Sequence, residues 1–156
     1  MIGSSYSEKT YDGHVRVRNL KVGFMQPLTE IRVIDLTQIY QGPYCSFLMA
    51  MAGADVIKVE PLTGERTRRS NVSDVPPMNF AMLNSNKRSI TLDLKNPKGV
   101  EVLKALVKEA DVLLENYAPG VMDRLGVGFE VLKEINPRLI YASGTGYGLS
   151  GPDRDL

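Results

Sequence analysis

Over about thirty residues the sequence changes from a strand pattern to a helix pattern and back again. Residues 31–36 and 55–60 are mostly apolar runs, as in buried strands. The segment 43–52 begins with a proline and is followed by Gly53, which indicates a helix start and stop. Strand, helix and strand at this spacing predict a βαβ unit with a right-handed crossover.

The same alternation continues to the end of the chain. Residues 61–88 are polar and rich in proline and glycine, which predicts a long loop. Further strands are predicted at 89–94, 111–115 and 138–143, and further helices at 97–110, 119–125 and 129–135. We therefore expect an α/β fold, a Rossmann-like parallel sheet with helices on both faces.

Composition narrows the function classes. The chain has 156 residues, enough for one core, and its net charge of +1 predicts neither a nucleic-acid partner nor a membrane surface. A single cysteine excludes a disulfide or a cysteine zinc site within one chain. No apolar run approaches the roughly 18 residues of a membrane helix.

Residues 1–26 form a leader with scattered charges of both signs and no apolar run, which is not the pattern of a secretory signal. The organised domain is expected over 27–156, and the compartment to be the reducing cytoplasm. Because Met25 directly precedes the first patterned segment, we expect natural translation to begin there.

Ligands of such sheets bind at the carboxyl ends of the strands. The candidate loops there are 37–43, 116–120 and 144–151, of which the second leads into a helix whose free N–H groups would suit a phosphate. The third contains Gly146-x-Gly148-x-x-Gly151, part of a dinucleotide-binding fingerprint, but Pro152 follows where a helix should open. An irregular loop is the favoured interpretation.

Other chemically capable side chains have ordinary structural interpretations. Cys45, Met49 and Met51 are predicted to fill the core. His14 is predicted to be a solvated side chain of the leader. The cluster Arg66, Arg68 and Arg69 could hold a phosphate or form a solvated loop, with neither favoured.

Several segments together resemble the opening of the family III (CaiB/BaiF) CoA-transferases. They occur in family order at 27–37, 42–45, 53–61, 86–95, 110–116, 119–126 and 136–141. The family includes formyl-CoA and carnitine CoA-transferases and also α-methylacyl-CoA racemases. The resemblance implies that acyl-CoA and a carboxylic acid are substrates, with no permanently bound cofactor and no metal.

The resemblance also implies a CoA groove. Its residues would be Leu92, Leu94, Lys95, Asn116, Tyr117, Val121 and Arg124. Tyr40 and Gln41 would face the reacting acyl group, although many formyl-CoA transferases have glutamine at the position of Tyr40, so formyl or oxalyl specificity does not follow. Pro61 stands where some members have a CoA-contacting arginine.

In the family an aspartate attacks the acyl-CoA thioester to give an acyl-aspartyl anhydride. The resemblance places that aspartate beyond Leu156, and neither Asp153 nor Asp155 occupies its position. It further implies a longer protein whose two chains interlock as a homodimer. The alternatives left open are the N-terminal part of a racemase, or a CoA-binding segment without catalysis.

Overall fold

The computed structural model describes residues 7–11, 15–19, 26–68 and 77–154. β1 (Ser7–Tyr11) and β2 (Val15–Asn19) pair as a separate antiparallel hairpin, in a segment where the sequence shows no pattern. The later elements are β3 (Arg32–Asp35), α1 (Gln41–Met51), β4 (Asp55–Glu60), α2 (Met78–Asn84), β5 (Arg88–Thr91), α3 (Pro97–Lys108), β6 (Val112–Glu115), α4 (Val121–Arg124), α5 (Phe129–Ile135) and β7 (Ile140–Ser143).

The five later strands form one parallel sheet in the order β5-β4-β3-β6-β7. The chain builds outward from β3 first through β4 and β5, and then on the other side through β6 and β7. The strand order therefore reverses between β3 and β6. In open parallel sheets the crevice at such a switch point, beyond the strand ends, is the usual place for a ligand.

Alternate residues of the central strands enter two cores, one on each face. Val33, Val56 and Val112 point to the face covered by α1, where Ala50 packs. The neighbouring residues of these strands point to the opposite face, which α3, α4 and α5 cover. The predicted α/β sheet with helices on both faces is confirmed.

Local signals explain where most elements begin and end. The Asn96 side chain accepts a hydrogen bond from the Lys98 N–H at 3.0 Å, and Pro97 opens α3 as predicted. Gly53 follows α1 with φ +101°, a conformation that glycine adopts without strain. The strand predicted at 89–94 spans Arg88–Thr91; the Leu92 N–H still bonds to the Glu60 carbonyl at 2.8 Å, and residues 93–95 then turn away from the sheet.

The predicted loop 61–88 contains more structure than expected. Arg66–Arg68 form one turn of 3₁₀ helix, and α2 lies against α1. Pro77 precedes α2 without a side-chain cap, so the usual sequence signal for a helix start is missing. The Arg68 guanidinium packs over the Phe80 ring, 3.8 Å from its centroid, and this contact helps to hold α2 in place.

Candidate coenzyme groove

A groove of about 440 Å³ lies beyond the carboxyl ends of β4 and β5, beside α4. Its lining residues are Gln38, Val59, Glu60, Pro61, Leu62, Thr63, Leu92, Asp93, Leu94, Lys95, Tyr117, Val121 and Leu125. Five of the seven residues that the resemblance predicts for a CoA site are among them. The walls are largely apolar, which suits the hydrocarbon portion of a ligand.

The turn after β5 forms one wall of the groove. Leu92 is buried, whereas Lys95 is exposed at the rim. The Asp93 carboxylate accepts a hydrogen bond from the Lys95 backbone N–H at 3.0 Å, which fixes the turn. The short strand β5 therefore places an apolar side chain inside and a cation at the edge.

A second hollow adjoins the groove and shares Leu94, Lys95 and Leu125 with it. Three cations line this hollow, Lys95, Lys104 and Arg124, and Glu101 is the one acid among its lining residues. An excess of positive charge beside an apolar groove is the arrangement expected for a ligand with a phosphorylated end.

The helix predicted at 119–125 is a single turn. α4 spans four residues and is preceded by Gly120 in the left-handed conformation, φ +75°. Such a short helix has little dipole of its own. The cationic side chains, and not the helix N-terminus, are therefore the electrostatic feature of this rim.

Asn116, a predicted groove residue, does not line the groove, because its side-chain amide is hydrogen-bonded to the backbone of Gln38. Its Oδ1 accepts from the Gln38 N–H at 2.8 Å, and its Nδ2 donates to the Gln38 carbonyl at 2.9 Å. The loop after β6 is thereby joined to the loop after β3. Gln38 lines the groove in its place, and sequence reasoning did not single out this residue.

Tyr40 and Gln41 lie at the start of α1 and do not line the groove. The Tyr40 hydroxyl accepts a hydrogen bond from Asn79 Nδ2 at 2.9 Å. Gln41 lies beside Gly144, the first residue of the loop after β7. Two of the predicted ligand loops therefore meet at this point.

In three neighbouring strands the last residue carries a buried carboxylate. Asp35, Glu60 and Glu115 are the last residues of β3, β4 and β6, and each is at most 5% exposed. Each carboxylate accepts a hydrogen bond from a backbone N–H of the loop that follows, at 2.8–3.0 Å. The strand ends thus shape the loops around the groove.

Asp35 is the centre of a buried polar cluster. Its carboxylate accepts from Ser46 Oγ at 2.6 Å and from Lys87 Nζ at 3.1 Å, and Lys58 Nζ lies 3.8 Å away. Burial alone would raise the pKa of Asp35, but the two lysines and the hydroxyl bonds hold it below its ordinary value. Burial lowers the pKa of Lys87 despite the adjacent carboxylate.

Glu60 is held by a different cation. Arg68 donates to both its oxygens, at 2.6 and 2.7 Å, and Ser89 Oγ donates at 2.6 Å. Burial alone would raise the pKa of Glu60, but these bonds and that from the Glu65 N–H lower it to about 2. Arg68 is therefore a structural partner of the sheet and not a solvated loop cation.

We expect the lowered pKa of Glu60 to make folding sensitive to acid. Between its ordinary value of 4.5 and about 2, the unfolded chain binds a proton there that the folded protein does not, so stability falls as the pH falls. Because the Arg68 side chain is 43% exposed, solvent screens part of this interaction. We therefore expect the free energy of unfolding to fall by about 2 kcal/mol over this range. Urea unfolding across this pH range measures it.

Glu60→Gln is the test variant, and Glu134→Gln, at an exposed position of α5, is the control. The pH slope should become shallower in Glu60→Gln alone. An identical slope in wild type and Glu60→Gln would contradict the assignment of this acid sensitivity to Glu60.

Several interpretations of single residues need revision. Cys45 and Met51 were predicted to be core but are exposed, because they lie on the outer face of α1. Met49 packs against the core as predicted. His14 and Arg69 lie outside the described residues.

The loop after β7 has no helix up to residue 154, which confirms the interpretation of its glycine pattern as an irregular loop. Among the described residues there is no helix long and apolar enough to cross a membrane. The same part of the chain contains no group of three or more His, Cys, Asp or Glu side chains arranged to hold a metal ion.

Comparison with known proteins decides the family. The sequence profile of CoA-transferase family III matches residues 28–156. The chain belongs to this family. The formyl-CoA:oxalate CoA-transferases of Afipia carboxidovorans and Rhodopseudomonas palustris are 54% and 53% identical to this family III chain over 132 residues. Each match covers 82% of the chain and 31% of the relative, so the chain spans about a third of their length.

Solved structures agree with the family III assignment. Rv3272 of Mycobacterium tuberculosis is 40% identical, with a TM-score of 0.78 over 84% of this chain and 36% of that protein. A CaiB/BaiF family protein of Brucella suis is also 40% identical, with a TM-score of 0.78 over 83% of this chain and 36% of its own. The resemblance seen in the sequence is confirmed.

Proposed function

We propose that this chain is the N-terminal part of a CoA-transferase that moves CoA between an acyl-CoA and a carboxylic acid. The proposal is based mainly on the apolar groove that opens beside the cations Lys95, Lys104 and Arg124. CoA has the matching chemistry, because its pantetheine arm is largely uncharged and its nucleotide end carries phosphates. The relatives of Afipia carboxidovorans and Rhodopseudomonas palustris are named as CoA-transferases, which favours transfer over racemisation.

In this proposal Lys95 and Arg124 bind phosphate oxygens, and Leu92, Leu94 and Val121 contact the uncharged part of CoA. Charge-assisted hydrogen bonds at the rim fix the nucleotide end, while burial of apolar surface holds the remainder. The acyl end would lie toward the loop at residues 37–41, which carries Gln38 on the groove wall. The names of the relatives make formyl-CoA and oxalate the first substrate pair to test.

The covalent step is proposed to use an aspartate that lies beyond Leu156. Attack of its carboxylate on the donor thioester would give an acyl-aspartyl anhydride and CoA thiolate. An incoming carboxylate would displace the donor acid to form a second anhydride, and the thiolate would attack this anhydride to give the new acyl-CoA and free the aspartate. Splitting one acyl exchange into easier steps is the advantage of such a nucleophile. We propose no catalytic residue within this chain.

The exposed apolar surface supports a larger assembly. Large apolar side chains that are at least half exposed occur together on the outer faces of α1 and α2, at Tyr44, Leu48, Met51, Met78 and Met82. Ile140 on the edge strand β7 is 63% exposed. Apolar patches of this kind mark surfaces that other protein covers. We propose that these patches are covered by the remainder of the subunit and by a second, interlocked copy.

Replacing Arg124 by alanine is expected to weaken CoA binding about ten-fold or more, because a charge-assisted contact to phosphate contributes about 1.5–3 kcal/mol. Raising the salt concentration should weaken wild-type binding more than binding by the variant. Isothermal titration calorimetry with CoA measures both effects. Arg138→Ala, at an exposed arginine on a turn outside the groove, is the matched control. An unchanged dissociation constant in Arg124→Ala would assign this arginine to the surface alone.

A further inference from the structure

Ile39 has a backbone conformation that its side chain disfavours. Its φ is +71°, in the left-handed region, and it is the β-branched member of the three non-glycine residues with positive φ in the described ranges. Such conformations persist only where surrounding contacts impose them. The residue lies between Gln38, on the groove wall, and Tyr40, at the start of α1.

The backbone N–H of Ile39 is bonded to a buried carboxylate. The Ile39 N–H donates to Glu65 Oε1 at 2.8 Å, and Glu65 is 1% exposed. The other oxygen, Oε2, accepts from the backbone N–H and the hydroxyl of Thr67. One oxygen of this acid is therefore bonded to the loop before α1, and the other to Thr67 in the 3₁₀ turn that begins at Arg66.

Glu65 is itself fixed to the sheet. Its backbone N–H donates to Glu60 Oε2 at 3.0 Å, and Glu60 is the last residue of β4. On the other side, Asn116 holds both backbone polar groups of Gln38. The loop that carries Gln38 is thus fixed from the ends of two strands, and Ile39 is the residue at which the chain turns into α1.

We propose that Glu65 is a positioning residue for the coenzyme groove: it holds Ile39 in the left-handed conformation and thereby keeps Gln38 on the groove wall. The inference rests on the proposed function, since the groove must bind CoA for the position of Gln38 to matter. A loop fixed before binding costs less to order in the complex. Loss of the Glu65 carboxylate should therefore reduce the affinity for CoA, although Glu65 itself does not contact the ligand.

The test measures CoA dissociation constants for variants that circular dichroism shows to be folded. Glu65→Ala should bind CoA about ten-fold more weakly, whereas Glu65→Gln, which retains an acceptor oxygen for Ile39, should remain within about three-fold of wild type. Adding Ile39→Gly to Glu65→Ala should recover at least half of the loss on a logarithmic scale, because glycine accepts positive φ without strain. Glu134→Ala is the control on an exposed position.

Amide hydrogen exchange supplies an independent readout. The Ile39 amide should be protected in wild type and in Glu65→Gln, and unprotected in Glu65→Ala. If wild type binds CoA and folded Glu65→Ala binds it equally well, Glu65 is merely structural and the inference is overturned. If wild type fails to bind CoA, the proposed function fails, and the inference fails with it.

Discussion

Replacing Asp35 by alanine is expected to lower the free energy of unfolding by about 3–5 kcal/mol. The side chains of Lys58 and Lys87 are each 1% exposed, and both approach this carboxylate. Without it, two buried ammonium groups would lose their counter-charge, which costs more than the attraction itself contributes. Since domains of this kind are stable by only about 5–15 kcal/mol, the variant should lose a large part of its stability.

Urea unfolding followed by circular dichroism measures this loss. Asp153→Ala, which removes an exposed carboxylate near the end of the described chain, should change stability by no more than about 0.5 kcal/mol. Asp35→Asn should fall between the two, because the amide keeps an acceptor for Ser46 but removes the charge. A loss below about 1 kcal/mol in Asp35→Ala would show that the lysines do not depend on this carboxylate.

Residues 1–156 alone are expected to show no enzymatic turnover. We expect the chain of residues 1–156 to catalyse no CoA transfer between succinyl-CoA or formyl-CoA and carboxylic acids, because the proposed nucleophilic aspartate lies beyond Leu156. Cys45 does not replace it, since it is exposed on α1 and does not line the groove. CoA exchange assayed against a preparation from an empty vector, which removes host transferases from the comparison, tests the expectation.

Either of two results would contradict it. Turnover above the control that survives the double change Asp153→Ala and Asp155→Ala would mean that another residue of this chain is the nucleophile. Turnover abolished by one of these changes would mean that the catalytic aspartate lies near the end of this chain.

The sheet could be predicted because its signals are local. The strands β3 and β4 are apolar on both faces, and α1 and α3 have proline and glycine or asparagine at their ends, so a few neighbouring residues define each element. α2 was not predicted, although five of its seven residues are apolar, because it is short and the two prolines before it, Pro76 and Pro77, are typical of a loop. Its position depends on contacts with α1 and Arg68, which are distant in sequence.

The candidate groove was found through resemblance, whereas the network that supports it was not. Lys87 and Asp35 are 52 positions apart, and Glu65 bonds Ile39 across 26 positions. A charged residue at a strand end is ordinarily predicted to be solvated, and no local pattern shows that a distant loop supplies its partner. Only the assembled sheet brings these groups together.

We propose that CoA binds in the groove between β4, β5 and α4, and amide NMR spectra recorded during a CoA titration would locate the bound ligand. We expect the largest shift changes at residues 92–95, 117 and 121–125. Val121→Trp, which fills the groove, should abolish them, whereas Val102→Trp, at an exposed position of α3, should leave them unchanged. Shift changes confined to other surfaces, or none at saturating CoA, would mean that CoA does not bind in this groove.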